Sequence, residues 1–146
     1  MRKTIYLIAL FLLPSLVFSA EIKPLTMDGC SVFPDGTIAH QSLWAHCCIR
    51  HDIAYWQGGT YEERLKADQS LEQCVTRVGE PDIAKLMLTG VRAGGSPYFP
   101  TSYRWGYGWP YPRTYKALTE DEKVEVKNKL NSLEILIKSI NDQLNP

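Results

Sequence analysis

The chain has 146 residues, 16 basic against 16 acidic, 45% apolar, with four cysteines. Charge this balanced, with no basic block, argues against nucleic acid as a partner. The length suits one domain with a modest core, and the sequence holds neither an internal repeat nor a low-complexity segment.

Residues 1–20 read as a secretory signal peptide. Arg2 and Lys3 precede an apolar run from Ile5 to Phe18, too short for a comfortable span, and Ser19 and Ala20 offer a cleavage site. The expected location is therefore secreted or periplasmic after cleavage near Ala20, with an uncleaved N-terminal anchor as the alternative. No cysteine follows the site, which argues against a lipid anchor. The remaining 126 residues (146 less 20) carry 14 basic and 16 acidic side chains, a formal charge of −2. An even number of cysteines in an exported chain favours two disulfides over free thiols.

Residues 21–146 are expected to form one mostly α-helical domain with its core at 28–78. Residues 21–39 look like a turn-rich entry loop, marked by Asp28-Gly29-Cys30 and Phe33-Pro34-Asp35-Gly36. A helix is predicted from about Ser42 to Gln57, with Trp44, Cys47, Cys48, His51 and Tyr55 on its inward stripe. Gly58 and Gly59 end it. Thr60 and Glu63 then form a capping box opening a second helix, which stops at Gly79-Glu80-Pro81. Tyr61, Leu65, Asp68, Leu71 and Val75 share one face of that helix. Asp68 is thus a carboxylate on an apolar stripe, costly unless a partner holds it.

The two helices, joined by so short a turn, should run antiparallel. Residues equally far from Gly59 then lie at one level, which sets His51 against Asp68. Cys47 and Cys74 are offset by about two residues, roughly 3 Å at helical rise. Of the three pairings four cysteines allow, this register favours Cys47–Cys74 and leaves Cys30–Cys48 to staple the entry loop beside His51.

A short helix is predicted from Pro81 to about Val91. Across residues 97–116, Tyr103, Trp105, Tyr107, Trp109 and Tyr111 alternate with other residues, the period of an extended strand with one aromatic face. That face reads either as a lid over the core or as an interfacial platform for a membrane surface, with Tyr103, Trp105, Tyr107 and Trp109 as its contacts. Thr119 and Glu122 open a last helix over 119–144. Its stripe of Val126, Leu130, Leu133, Ile137, Ile140 and Leu144 reads first as an intramolecular packing face, and second as a seam for weak self-association.

His51 is the candidate base. A lone histidine on a core face is usually a satisfied core residue, but a buried carboxylate on one ring nitrogen would fix its tautomer and make it more basic. Asp52, one residue on, points about 100° around the helix towards the tethered loop. A carboxylate with loop carbonyls is an oxygen-rich set suited to calcium. Zinc on His46, Cys47, Cys48 and His51 is the competing metal, disfavoured because those residues spread around the helix.

The run CCIRHDIAY, Cys47 to Tyr55, resembles the active-site helix of the secreted phospholipase A2 superfamily, Cys-Cys-x-x-His-Asp-x-x-Tyr. Asp68 and Cys74 are similar to that family's second-helix aspartate and the cysteine six residues later, and Gly29-Cys30 to the start of its calcium loop. The resemblance covers about residues 28–75. It implies a disulfide-stapled, antiparallel two-helix core that hydrolyses the sn-2 ester of glycerophospholipids, with a phospholipid surface as substrate. It implies His51 as base, Asp68 as its orienter and Tyr55 as support. Calcium would be held by Asp52 and the loop at Gly29, Ser31 and Phe33, and the disulfides would be the same two pairs. The chain departs from the pattern in three places. Ala54 and Ala67 stand where the eukaryotic family often has a further disulfide, the loop Ser31-Val32-Phe33-Pro34-Asp35-Gly36 is poor in glycine, and the insert between the helices is absent. Residues 90–146 have no counterpart. An inactive lipid- or protein-binding module on the same scaffold is the first alternative, and a structural envelope protein assembling through its C-terminal helix is the second.

Overall fold

The computed structural model describes residues 21–31 and 33–145. The expected signal peptide and Val32 of the entry loop lie outside the described residues. Among those residues there are four helices and no strand: α1 (Ala45–Gln57), α2 (Tyr61–Arg77), α3 (Pro81–Gly94) and α4 (Glu120–Leu144). No described helix is long and apolar enough to cross a membrane.

α1 starts three residues later than expected, at Ala45, because the chain before it is folded back. The Trp44 N–H donates to the Asp35 carbonyl at 3.0 Å, and its indole donates to the Pro34 carbonyl at 2.7 Å. Trp44 is then buried at the helix entrance. α2 opens on the expected capping box, with the Glu63 N–H donating to Thr60 Oγ1 at 3.2 Å and the Thr60 N–H to Glu63 Oε2 at 2.7 Å. Pro81 sits in the first turn of α3, where its missing N–H costs nothing. α3 runs on to Gly94, beyond the expected Val91.

α1 and α2 form an antiparallel hairpin, and α3 packs along α2. Both disulfides are present, Cys47–Cys74 across the hairpin and Cys30–Cys48 onto the entry loop. Around them Trp44, Leu71, Val75, Ala84 and Met87 make one apolar core. Tyr61, expected on the inward face of α2, is instead half exposed and stacks edge-on against Tyr115.

The aromatic segment is not an extended strand. Residues 102–109 are a run of turns folded over the C-terminal end of α1. A helix end leaves its last carbonyls without intrahelical partners, and this segment supplies them. Gly106 N–H donates to the Tyr55 carbonyl at 2.6 Å, Gly108 N–H to Trp56 at 3.1 Å, and the Trp109 indole to Gln57 at 2.8 Å. The intervening glycines exist for close approach, not for strand alternation: a Cβ on Gly108 would sit 2.6 Å from the Trp56 ring. Trp105 and Trp109 are each 1% exposed. A second apolar cluster of Ile22, Trp56, Trp109 and Val126 forms beneath them.

α4 carries the second expected capping box, and Arg113 pairs with its Glu122 at 2.7 Å. The apolar stripe packs inward at Val126 and Leu130 only. Ile137, Ile140 and Leu144 are exposed, so the reading as an intramolecular packing face holds for the first half of the helix and is corrected for the second.

Candidate active site

The hairpin register sets His51 directly against Asp68, with Nε2 3.0 Å from Oδ1. Asp68 is fully buried, and the Tyr55 hydroxyl donates to the same oxygen at 2.7 Å. Tyr55 lies one turn beyond His51, its ring centroid 4.2 Å from the imidazole. Burial and the Asp68 charge push the Tyr55 phenol above its ordinary range, so it stays a donor. A nitrogen facing a carboxylate carries the ring proton, which assigns the proton to Nε2 and leaves Nδ1 as the basic nitrogen.

The other Asp68 oxygen meets two arginines. Arg92 Nε is 2.7 Å from Oδ2, and Arg64 Nε is 3.9 Å away. The Arg92 contact is an ion pair without a well-directed hydrogen bond. Arg64 instead donates to the Tyr55 hydroxyl at 3.0 Å, the Tyr115 hydroxyl at 2.6 Å, and the Val91 and Arg92 carbonyls at 2.8 and 2.9 Å. Those carbonyls belong to the last turn of α3, so one guanidinium ties that helix end to the tyrosine.

His51, Asp52 and Tyr55 line a cleft of about 360 Å³ whose apolar wall includes Leu71, Leu86, Met87 and Val91. Gly29, Ser31 and Phe33 of the entry loop line it too, held there by the Cys30–Cys48 bridge and by the Cys30 N–H donating to Asp35 Oδ1 at 2.9 Å. Gly29 and Ser31 both adopt positive φ, 74° and 56°, which curls the loop tightly. Tyr103 and Tyr107 also border the cleft, and Tyr107 donates to the Thr26 carbonyl at 2.6 Å. The expected aromatic platform therefore divides: Tyr103 and Tyr107 reach the cleft mouth, whereas Trp105 and Trp109 are buried beneath it and belong to no exposed surface.

Asp52 is the unusual carboxylate. Burial raises its pKa to about 7, helped by the charges of Asp28 and Asp35 and opposed by a backbone hydrogen bond from Asp28. Its Oδ2 is buried without a hydrogen-bond partner. A buried carboxylate oxygen lacking a donor, with two further carboxylates near enough to feel its charge, fits a hard divalent cation. Asp28 lines a smaller hollow of about 220 Å³ together with Asp52 and Ser31. Among the described residues zinc finds no comparable set. The two clusters of potential ligands, His46 with Cys47 and Cys74 and Asp35 with Cys30 and Cys48, both rely on sulfurs already committed to disulfides.

Arg64, Arg92 and Asp28 were not singled out from sequence. Arg64 stands four residues before Asp68, a helical ion-pair spacing that could have flagged it. Arg92 carries no local signal, since only the docking of α3 on α2 brings it to Asp68. Asp28 itself carries only a turn signal in the sequence, beside the Gly29 expected in the calcium loop.

The chain matches no protein-family model, no curated protein and no solved structure.

Proposed function

We propose that this chain is a phospholipase A2-like enzyme, hydrolysing the sn-2 ester of glycerophospholipids with calcium as cofactor. The observation that carries the reading is the convergence of His51, backed by the buried Asp68, and the donor-free carboxylate of Asp52 on one apolar-walled cleft. His51 Nδ1 takes the proton of a water that attacks the ester carbonyl, and Asp68 stabilises the imidazolium that results. Tyr55 keeps Asp68 aimed at Nε2. As protonation of the leaving alkoxide returns the proton from His51, the site is restored with no covalent intermediate. Leu71, Leu86, Met87 and Val91 give an acyl chain an apolar wall and exclude bulk water.

Asp52, with the loop at Gly29, Ser31 and Phe33, would hold the calcium. When bound, that ion supplies Lewis-acid stabilisation of the phosphate and of the developing oxyanion. Asp28, which lines the smaller hollow with Asp52 and Ser31, is the additional carboxylate beside Asp52.

The deciding experiment is fatty-acid release from mixed phospholipid vesicles with and without calcium, wild type beside His51→Ala. Calcium-dependent release by wild type alone supports the enzyme. Vesicle binding with no release by either protein would leave the inactive binding module in its place.

A further inference from the structure

Arg92 lies outside the motif behind the proposed function, yet among the described residues it is the arginine nearest the fully buried carboxylate of Asp68. Asp68 Oδ1 is occupied by His51 and Tyr55. Oδ2 faces Arg92 Nε at 2.7 Å, while Arg64 stands back at 3.9 Å with its donors directed to Tyr55, Tyr115 and the end of α3. The Arg92 fork is divided, since its Nη2 donates to the Leu65 carbonyl on α2 at 3.1 Å. That hydrogen bond to Leu65 and the ion pair to Oδ2 together anchor the planar guanidinium beside Asp68. A carboxylate can rotate about its own axis, and that rotation would carry Oδ1 away from the imidazole.

We infer that Arg92 is a positioning residue for the His51–Asp68 pair: it holds Asp68 by Oδ2 so that Oδ1 keeps the His51 proton on Nε2 and leaves Nδ1 to the cleft. Arg92 acts through Asp68 and does not touch the cleft, whose lining includes its neighbour Val91 but not Arg92 itself. The charge matters as well as the geometry. A fully buried carboxylate left with one arginine at 3.9 Å would be short of compensation. The inference rests on the phospholipase reading for its kinetic arm only.

The test compares wild type, Arg92→Met and Arg92→Lys as full chains in two measurements. In vesicle hydrolysis, Arg92→Met should lower kcat about tenfold or more, the scale seen when an outer partner of a site residue is lost, with KM changed less than about twofold. Arg92→Lys keeps the charge without the divided fork, so it should recover part of that kcat. In proton NMR, the low-field imidazole resonance that disappears in His51→Gln should be sharp in wild type. It should be broadened or lost in Arg92→Met, and shifted in Arg92→Lys. A His51 resonance and kcat unchanged in Arg92→Met, or a loss confined to KM, would overturn the inference. If Arg92→Met fails to fold, Arg92→Lys decides, and a resonance identical to wild type would overturn it. Absence of hydrolysis by wild type would remove the proposed function and leave the resonance as the sole judge of Arg92.

Discussion

His51 Nε2 and Asp68 Oδ1 stand 3.0 Å apart across a hairpin whose two helices are separated only by Gly58, Gly59 and Thr60. So short a turn leaves little freedom of register, and the Cys47–Cys74 bridge removes more. The pair is therefore preorganised by the fold and not assembled by a ligand. Substitutions at the pair should accordingly separate chemistry from folding.

His51→Gln should keep the helical circular dichroism of wild type and lose at least ~10²-fold in vesicle hydrolysis, since the base is gone while a polar group still meets Asp68. Asp68→Asn should lose less activity but more stability. It would leave the buried Arg64 short of its nearby counter-charge and the partly exposed Arg92 facing a neutral amide, costing about 1–3 kcal/mol. Tyr55→Phe should be mildest, about 0.5–1.5 kcal/mol from one hydrogen bond. Near-full activity in His51→Gln would refute the mechanism.

Calcium should stabilise the protein more as pH rises. The Asp52 carboxyl titrates near 7 when folded, against 3.8 as the ordinary value. The folded state thus binds the extra proton between those values, and calcium-free protein loses stability as pH climbs through them. Calcium competes with that proton. The melting-temperature gain should be small near about pH 5 and larger near about pH 8, and Asp52→Asn should abolish it. A shift of equal size in both proteins would place the ion elsewhere.

Glu122 should govern part of the acid limb of stability. Hydrogen bonding from Arg113 holds its carboxyl down at about 2. Its contribution is present above the ordinary value of 4.5 and fades as pH falls towards 2. Glu122→Gln keeps a side chain able to cap α4 but removes the charge. Chemical denaturation should then show about 1.5–3 kcal/mol lost near neutral pH, and a difference from wild type that closes on acidification.

Gly95→Ala should disturb the site from a distance. Gly95 lies directly against the Tyr55 ring, and a methyl group there would collide with the ring carbons and the hydroxyl. Displacing the tyrosine or the end of α3 should cost about 1–3 kcal/mol by overpacking. Hydrolysis should fall with it, because Tyr55 shares Asp68 Oδ1 with His51. Thermal melting alongside the vesicle assay checks both.

Breaking the Cys47–Cys74 bridge by a double serine substitution should cost on the order of 2–5 kcal/mol in a domain this small. Non-reducing peptide mapping of wild type should recover Cys47–Cys74 and Cys30–Cys48. A Cys30–Cys47 bridge instead would contradict the register of the α1–α2 hairpin.

Features that depend on neighbours along the chain are legible before any fold is known. Both capping boxes and the hairpin turn follow from local spacing, and helical rise across a three-residue turn favours the register that pairs the disulfides and sets His51 level with Asp68. Tertiary structure alone decided what faces the far side of Asp68. Arg92 reaches it only because α3 docks on α2, a contact that no local period announces. The aromatic segment shows the same limit. Its alternation of aromatics with other residues is the period of a strand, yet Gly106 and Gly108 admit the backbone to the end of α1, the Trp109 indole bonds to the Gln57 carbonyl there and the Trp105 indole to Gly59 in the turn beyond. Period reports which residues share a side under an assumed local geometry. Which open carbonyls and buried charges they will satisfy depends on segments far away in the chain.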